Sequence, residues 1–206
     1  MNNKKSRGSG RTRNWVFILY PESAPLNWRD VLDGEHIRWI ESPLHDRDIN
    51  ETDGEVKKSH YHVLLMFESV KDFSQVKDIT DKVNSAVPIK CNGTRGMVRY
   101  FAHLDNLEKF QYDKNGIVGH GGADVAEFLK PTLGERYVFI WEMREYVRKN
   151  DILEFCDLFD YAAENRFEDW FPLLCDSCAY VMGQFIKSCR NKYFDSLHVQ
   201  DKRNKN

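Results

Sequence analysis

Two apolar runs stand out in the first third of the chain: Trp15-Val16-Phe17-Ile18-Leu19-Tyr20, closed by Pro21, and Val63-Leu64-Leu65-Met66-Phe67, led in by His60-Tyr61-His62. Both are short, bounded by polar or turn residues and rich in β-branched or aromatic side chains, which predicts buried strands over 15–20 and 59–67. Looser alternation around Ile37, Trp39 and Ile40 predicts a strand over 36–42, and residues 87–91 suit another. The segment 43–58 between these strands is polar and irregular, and residues 25–32 suit a short helix. Phe73, Val76, Ile79 and Val83 recur at helical spacing, predicting an amphipathic helix over 71–85. Thr94 suits the N-cap of a further helix running to about Leu104, with Met97, Phe101 and Leu104 on its core face. Residues 113–116 predict a turn between two short hairpin arms, 110–112 and 117–118. The stretches 119–122 and 131–134 bracket a linker-like region, beyond which strand signals vanish. Residues 137–149, 151–163 and roughly 170–194 all read as helices. The pattern predicts an α+β domain over 14–130 followed by an all-helical domain over 131–206, with residues 1–13 as a disordered, basic arm carrying Lys4, Lys5, Arg7, Arg11 and Arg13.

Charge narrows this picture by what it leaves out. Residues 1–130 carry 19 cations and 19 acids, the rest 11 and 13, so neither domain is basic in bulk. Nucleic-acid binding would therefore have to rest on local patches or a metal ion. No apolar run approaches membrane-spanning length, and the polar N-terminus has no signal-like segment. The five cysteines, an odd number, fit a reducing compartment, so the expected location is the cytoplasm without membrane association. Cys175 and Cys178 form a C-x-x-C inside a helical pattern with no second ligand pair, which favours packed free thiols over zinc. Trp141, Phe155, Phe159, Trp170, Phe171 and Phe185 supply more aromatic surface than a lone short bundle needs, which points to burial against other subunits.

The candidate chemistry begins at His60 and His62. Residues at i and i+2 of a strand share a face about 7 Å apart, so the two imidazoles can either grip one ion or simply pack. Upstream, His45 and Asp48 add an imidazole and a carboxylate three residues apart. Together the four donors suit Mn²⁺, Zn²⁺, Co²⁺ or Ni²⁺ and are too nitrogen-rich to favour Ca²⁺. Tyr100 and His103 lie one turn apart on the helix that follows. A divalent ion polarises a phosphodiester, and a phenol of ordinary pKa, about 10, needs such help to act as a nucleophile near neutral pH. Tyr61 and Tyr112 are weaker nucleophile candidates, Tyr61 because it alternates to the strand face opposite the histidines. Lys57, Lys58, Arg95 and Arg99 flank these motifs and are candidate phosphate contacts.

In order along the chain, Phe17-Ile18-Leu19-Tyr20-Pro21-Glu22-Ser23, Ser42-Pro43-Leu44-His45-Asp46-Arg47-Asp48, Lys57-Lys58-Ser59-His60-Tyr61-His62-Val63 and Met97-Val98-Arg99-Tyr100-Phe101-Ala102-His103 resemble the motifs of HUH endonucleases. Residues 13–104 are most similar to the rolling-circle replication initiators of small Gram-positive plasmids. The resemblance implies an antiparallel sheet flanked by helices. It implies that His45, Asp48, His60 and His62 hold a divalent metal, Mn²⁺ first, with Mg²⁺, Co²⁺, Zn²⁺ and Ni²⁺ as the other candidates. Tyr100 would attack the scissile phosphate, leaving a 5′-phosphotyrosine and a free 3′-OH; His103 also matches the pattern, and its place one turn from Tyr100 suits a supporting contact that orients it. The implied partners are plasmid origin DNA, double-stranded for binding and single-stranded for cleavage, a host helicase, a host DNA polymerase and further copies of the chain in a ring-like homo-oligomer. No G-x-x-x-x-G-K-[ST] occurs, so unwinding falls to the host. The competing readings are a relaxase or transposase with the same site, and a non-catalytic metal-stabilised DNA-binding protein in which Tyr100 merely packs.

Overall fold

A computed structural model describes residues 10–203, with side chains through residue 197. Lys4, Lys5 and Arg7 of the expected arm lie outside the described residues. The chain divides into two compact units, Met1–Lys130 and Pro131–Asn206.

The first unit is built on a five-stranded sheet of order β4-β1-β3-β2-β5, comprising β1 (Thr12–Leu19), β2 (Arg38–Glu41), β3 (Tyr61–Lys71), β4 (Ile89–Lys90) and β5 (Val118–His120). Every pairing is antiparallel, and with the helices around and after it this bears out the expected α+β class. The strand β1 begins earlier than expected: Thr12 pairs with Lys71, so Thr12 and Arg13 belong to the sheet and not to an arm. The central strand β3 is apolar without alternation because both faces are covered. Its odd positions Val63, Leu65 and Phe67 join Trp15, Phe17 and Trp39 in one core, with α1 (Trp28–Asp33) and α2 (Phe73–Asp81) contributing Trp28, Leu32 and Val76. Its even positions Leu64 and Met66 join Val16 and Ile40 in a second core on the other face. There α3 (Thr94–Tyr100) supplies Val98, and α4 (Val125–Leu129) packs Val125, Phe128 and Leu129. Buried Glu41 at the end of β2 is matched by the Arg29 guanidinium of α1 at 2.8 Å and by His120 Nε2 of β5 at 3.1 Å.

Two local expectations change. The hairpin predicted around residues 113–116 is a 3-10 turn (Lys114–Gly116), and the strand after it, β5, pairs with β2 across the sheet. The region expected to be linker-like after residues 119–122 instead holds α4, packed on the second core. Gly121 takes φ +60°, and any side chain there would collide with the Ile37 carbonyl, so glycine is needed for β5 to close on β2. The helix α3 starts at Thr94 with Gly93 as its N-cap, so Thr94 is its first residue and not the cap.

The second unit is helical: α5 (Leu133–Lys149), α6 (Phe155–Asn165), α7 (Trp170–Leu173) and α8 (Ala179–Arg203). The Thr132/Glu135 capping box starts α5 four residues before the predicted 137. The single helix predicted from 170 is interrupted by a π-helical turn, Leu174–Cys178. Cys178 is buried there while Cys175 is exposed, so only one of the two thiols packs. Met143, Leu158, Leu174, Met182 and Ile186 form the core of this unit.

Candidate active site

Strand pairing continues past the end of β2 and delivers the first ligand candidate. Ser42 N–H donates to the His62 carbonyl at 2.9 Å, and His45 and His60 exchange both backbone hydrogen bonds at 2.8 and 3.1 Å. His45 is thereby set beside His60 and His62, which share the even face of β3. Tyr61 points the other way and packs its ring on Trp28 at 5.6 Å, in the opposite core. The chain then makes a small hairpin: Ile49 bridges Val56, and Lys57 N–H donates to the Asp48 carbonyl at 2.7 Å, which fixes Asp48 at the foot of the loop.

The fourth imidazole comes from the end of α3. Leu104 N–H reaches back to the Arg99 carbonyl and His103 N–H to the Tyr100 carbonyl, a Schellman closure with His103 in the left-handed region at φ 57°. Glycine usually occupies that position; a histidine there costs on the order of 1 kcal/mol, and here it turns a fully buried imidazole toward Asp48.

His45, Asp48, His60, His62 and His103 are all buried. One ligating atom each from His45, His60 and His62 lie within 4.8 Å of one another, as do those of His45, Asp48 and His103. Backbone carbonyls assign the imidazole protons. His45 Nε2 donates to Phe101 O at 2.8 Å, His60 Nδ1 to Lys58 O at 2.7 Å and His103 Nδ1 to Phe110 O at 2.7 Å. With one nitrogen of each ring donating to a carbonyl, the other is the one that can offer a lone pair. Those lone pairs face Asp48: His45 Nδ1 at 3.3 Å, His60 Nε2 at 3.9 Å and His103 Nε2 at 4.0 Å from its carboxylate oxygens. The Nε2 atoms of His62 and His103 are buried with no hydrogen-bond partner among the described residues. Buried polar atoms without partners are costly. Three imidazoles held by backbone carbonyls with their free nitrogens toward one carboxylate, and His62 grouped with His45 and His60, form a donor set that fits a divalent ion.

Electrostatics point the same way. Burial, then the neighbouring His45 and His60, push His62 down to about 3, and burial also lowers His45, so both rings are unprotonated at neutral pH, as metal ligation requires. Burial works to raise Asp48, but the polar groups around its carboxylate, the donating Tyr112 hydroxyl among them, bring it below its ordinary value.

Tyr100, half-buried, sets its ring edge-on against His62 (centroids 5.5 Å apart) and His103 (5.0 Å). It lines a cleft of about 450 Å³ together with Asp48, Lys57, Lys58, His60 and His62. The phenolic oxygen accepts a hydrogen bond from Lys109 Nζ at 3.2 Å. Tyr112 lies on the other side. Its ring stacks on His45 at 4.2 Å, and its hydroxyl donates to Asp48 Oδ1 at 3.0 Å and accepts from Arg47 N–H at 2.9 Å. Burial, with the Asp48 carboxylate beside it, pushes that phenol up to about 12, which makes it a brace and a poor nucleophile.

Of the expected phosphate contacts, Lys57 lines the cleft, Lys58 pairs with Glu22 beside it, and Arg95 donates to the Lys130 carbonyl. Arg99 is a correction. Its guanidinium is buried and forks onto the Asp105 carboxylate at 2.7 and 2.9 Å, so it anchors the turn after α3 and is not an exposed cation. Lys109 and the bracing hydroxyl of Tyr112 escape sequence reasoning, because neither falls in a recognisable motif and each reaches the site through the path of a loop.

This architecture is a histidine cluster able to hold a divalent ion, with a tyrosine beside it, on an antiparallel sheet. Comparison with known proteins assigns it to a family. Residues 7–126 match the family model described as plasmid replication protein, origin binding domain, and residues 133–191 match that described as replication protein RepB, C-terminal. The chain is 48% identical over 191 residues to a replication protein of Staphylococcus aureus, covering 93% of this chain and 94% of the relative. It is 37% identical over 188 residues to replication protein RepB of Lactiplantibacillus plantarum, covering 91% and 85% respectively. The chain belongs to the Rep/RepB family of plasmid replication initiators, and its first unit carries the family's origin-binding domain. No helix among the described residues is long and apolar enough to cross a membrane.

Proposed function

We propose that this initiator nicks one strand of the plasmid origin with Tyr100 and later rejoins it, using a divalent ion, Mn²⁺ first among the candidates, held by His45, Asp48, His60 and His62. The observation that carries this reading is the placement of Tyr100 edge-on to His62, beside a histidine cluster in which the buried Nε2 atoms of His62 and His103 have no hydrogen-bond partner among the described residues. A bound ion would polarise the scissile phosphodiester and offset the charge that develops on it. The chain's own residues do the rest. The carbonyls of Phe101 and Lys58 hold His45 and His60 in the tautomers that present lone pairs to the site, and Tyr112 steadies Asp48. Tyr100 Oη attacks phosphorus; the Oη–P bond forms as the P–O3′ bond breaks, leaving a 5′-phosphotyrosine and a 3′-OH. The ester conserves the bond energy for rejoining, while the 3′-OH primes a host polymerase behind a host helicase. Lys57, Lys58 and Arg95 remain candidates for the DNA backbone. The family match favours a plasmid origin over a transfer origin or an element end as substrate.

The same reading gives the helical unit the task of homo-oligomerisation in a ring-like assembly. Tyr137, Val138 and Trp141 on α5 and Tyr180 and Val181 on α8 are more than half exposed, an apolar surface suited to other copies of the chain.

The test is incubation of the protein with Mn²⁺ and an origin single strand, followed by a denaturing gel. Wild type forms a covalent protein–DNA adduct, Tyr100→Phe forms none, and His62→Ala loses both the adduct and Mn²⁺ binding by calorimetry. An adduct with Tyr100→Phe overturns the assignment of the nucleophile.

A further inference from the structure

We infer that Lys109 is a catalytic residue of strand transfer, a fixed cation that holds the Tyr100 hydroxyl in place for attack and carries the charge that builds on the phenolic oxygen. This rests on the nicking reading above and adds a residue to it.

The geometry is specific at both ends of the lysine. Its Nζ donates to Tyr100 Oη at 3.2 Å and lies 4.9 Å from the centre of the same ring, so the ammonium serves both the oxygen and the π-face. Among the described residues Lys109 forms no ion pair that would draw it away. Its backbone is pinned on either side. Asn106 N–H donates to His103 O at 2.8 Å, Lys109 N–H to Asn106 O at 3.0 Å, and Gln111 Nε2 to Lys109 O at 3.0 Å. The next residue, Phe110, is tied through its carbonyl to His103 Nδ1 at 2.7 Å. The left-handed turn at His103 therefore does two things at once: it aims an imidazole at Asp48 and folds the following loop back so that Lys109 meets Tyr100. The loop is not an incidental surface turn, because its anchoring passes through a buried residue of the site itself.

The chemistry follows from the charge. The phenol must shed its proton for its oxygen to bond to phosphorus, and a preorganised cation beside the oxygen stabilises the phenolate so formed more than the neutral resting phenol. The phenolic proton passes to water, the departing 3′ oxygen takes a proton from water, and Lys109 remains an ammonium throughout. Its hydrogen bond to Tyr100 raises it above the ordinary lysine range, which secures the cation at neutral pH. On rejoining, the same ammonium stabilises the leaving phenolate. Lys109 is thus required in both directions, unlike a group that only binds the incoming strand.

The test uses full-length protein, Mn²⁺ and an origin single strand at saturating concentration, with the rate of adduct formation as the readout. Lys109→Gln and Lys109→Met slow adduct formation at least about tenfold, and Lys109→Arg recovers most of the rate. Mn²⁺ affinity by calorimetry, the thermal midpoint and single-strand affinity in a Tyr100→Phe background all stay within about twofold or a degree or two of the parent. Wild-type rates in Lys109→Gln and Lys109→Met overturn the inference while leaving the nicking reading intact. A loss confined to DNA affinity, with the saturated rate unchanged, also overturns it and makes Lys109 a backbone contact. If wild type itself forms no adduct, the nicking reading falls and this inference with it.

Discussion

Tyr112→Phe separates the brace from the nucleophile. The substitution keeps the ring stacked 4.2 Å from His45 and edge-on to His103 and Phe110. It removes one oxygen, which donates to Asp48 at 3.0 Å and accepts from Arg47 N–H at 2.9 Å. Two hydrogen bonds of about 1 kcal/mol each are lost, and the Arg47 N–H is left without its acceptor, so the unfolding free energy should drop by about 1–3 kcal/mol. Asp48 loses a donor that helps hold its carboxylate ionised and oriented. Removing such an outer partner of a ligand weakens metal binding by about 10- to 100-fold. Adduct formation should nevertheless persist at saturating Mn²⁺. A phenol pushed up to about 12 is the wrong attacking group, with roughly a hundredfold less phenolate at a given pH than one near 10. Urea denaturation, Mn²⁺ calorimetry and the denaturing-gel assay measure the three effects. Loss of the adduct with metal binding intact would make Tyr112 the nucleophile and refute the reasoning. Unchanged stability and unchanged Mn²⁺ affinity together would refute the hydroxyl bridge.

In chelator, the protein should lose stability as pH falls below neutrality. His62 sits near 3 in the fold against about 6.5 when unfolded, so the unfolded chain takes up the proton first. The contribution is therefore complete above about pH 6.5 and is lost as pH falls toward 3, by at most about 1.4 kcal/mol per pH unit for each such histidine. His45 is shifted in the same direction, and a flat urea midpoint between pH 7.5 and 5 would contradict the effect. Arg99→Ala should lower the unfolding free energy by about 1–3 kcal/mol, because it strips a buried fork from the turn after α3. Lys57→Ala should instead leave stability unchanged and reduce the salt slope of DNA binding by about 1, the mark of one phosphate contact. Placing glutamate at both Trp141 and Tyr180 should shift the protein to smaller species in sedimentation while the first unit keeps its fold, and an unchanged mass would clear that surface of any part in assembly.

Much of the site was legible because it depends on local periodicity. The two-residue period of a strand puts His60 and His62 on one face and Tyr61 on the other, and that is how β3 folds. The unbroken apolar run 63–67 announced a strand covered on both sides. The errors fall where local pattern is silent. A glycine-rich segment reads as the edge of a linker until Gly121 is seen against the Ile37 carbonyl. Arg99 reads as a free cation until the turn brings Asp105 onto it. Residues 113–116 read as a hairpin turn because nothing local shows that β5 pairs with β2.

By itself the sequence determined the residue types, their order and the faces of the elements: two imidazoles on one strand, an imidazole and a carboxylate before it, a tyrosine on the helix after it. Only the tertiary structure decided which lone pair points where. The Phe101 carbonyl sets the tautomer of His45 from 56 residues away, and Tyr112 braces Asp48 from 64 residues away. The left-handed turn at His103 brings Lys109 to Tyr100. Protonation and charge at a site follow from distances of about 3 Å between groups remote in the chain. Such distances exist only once the sheet has paired and the loops have closed on it.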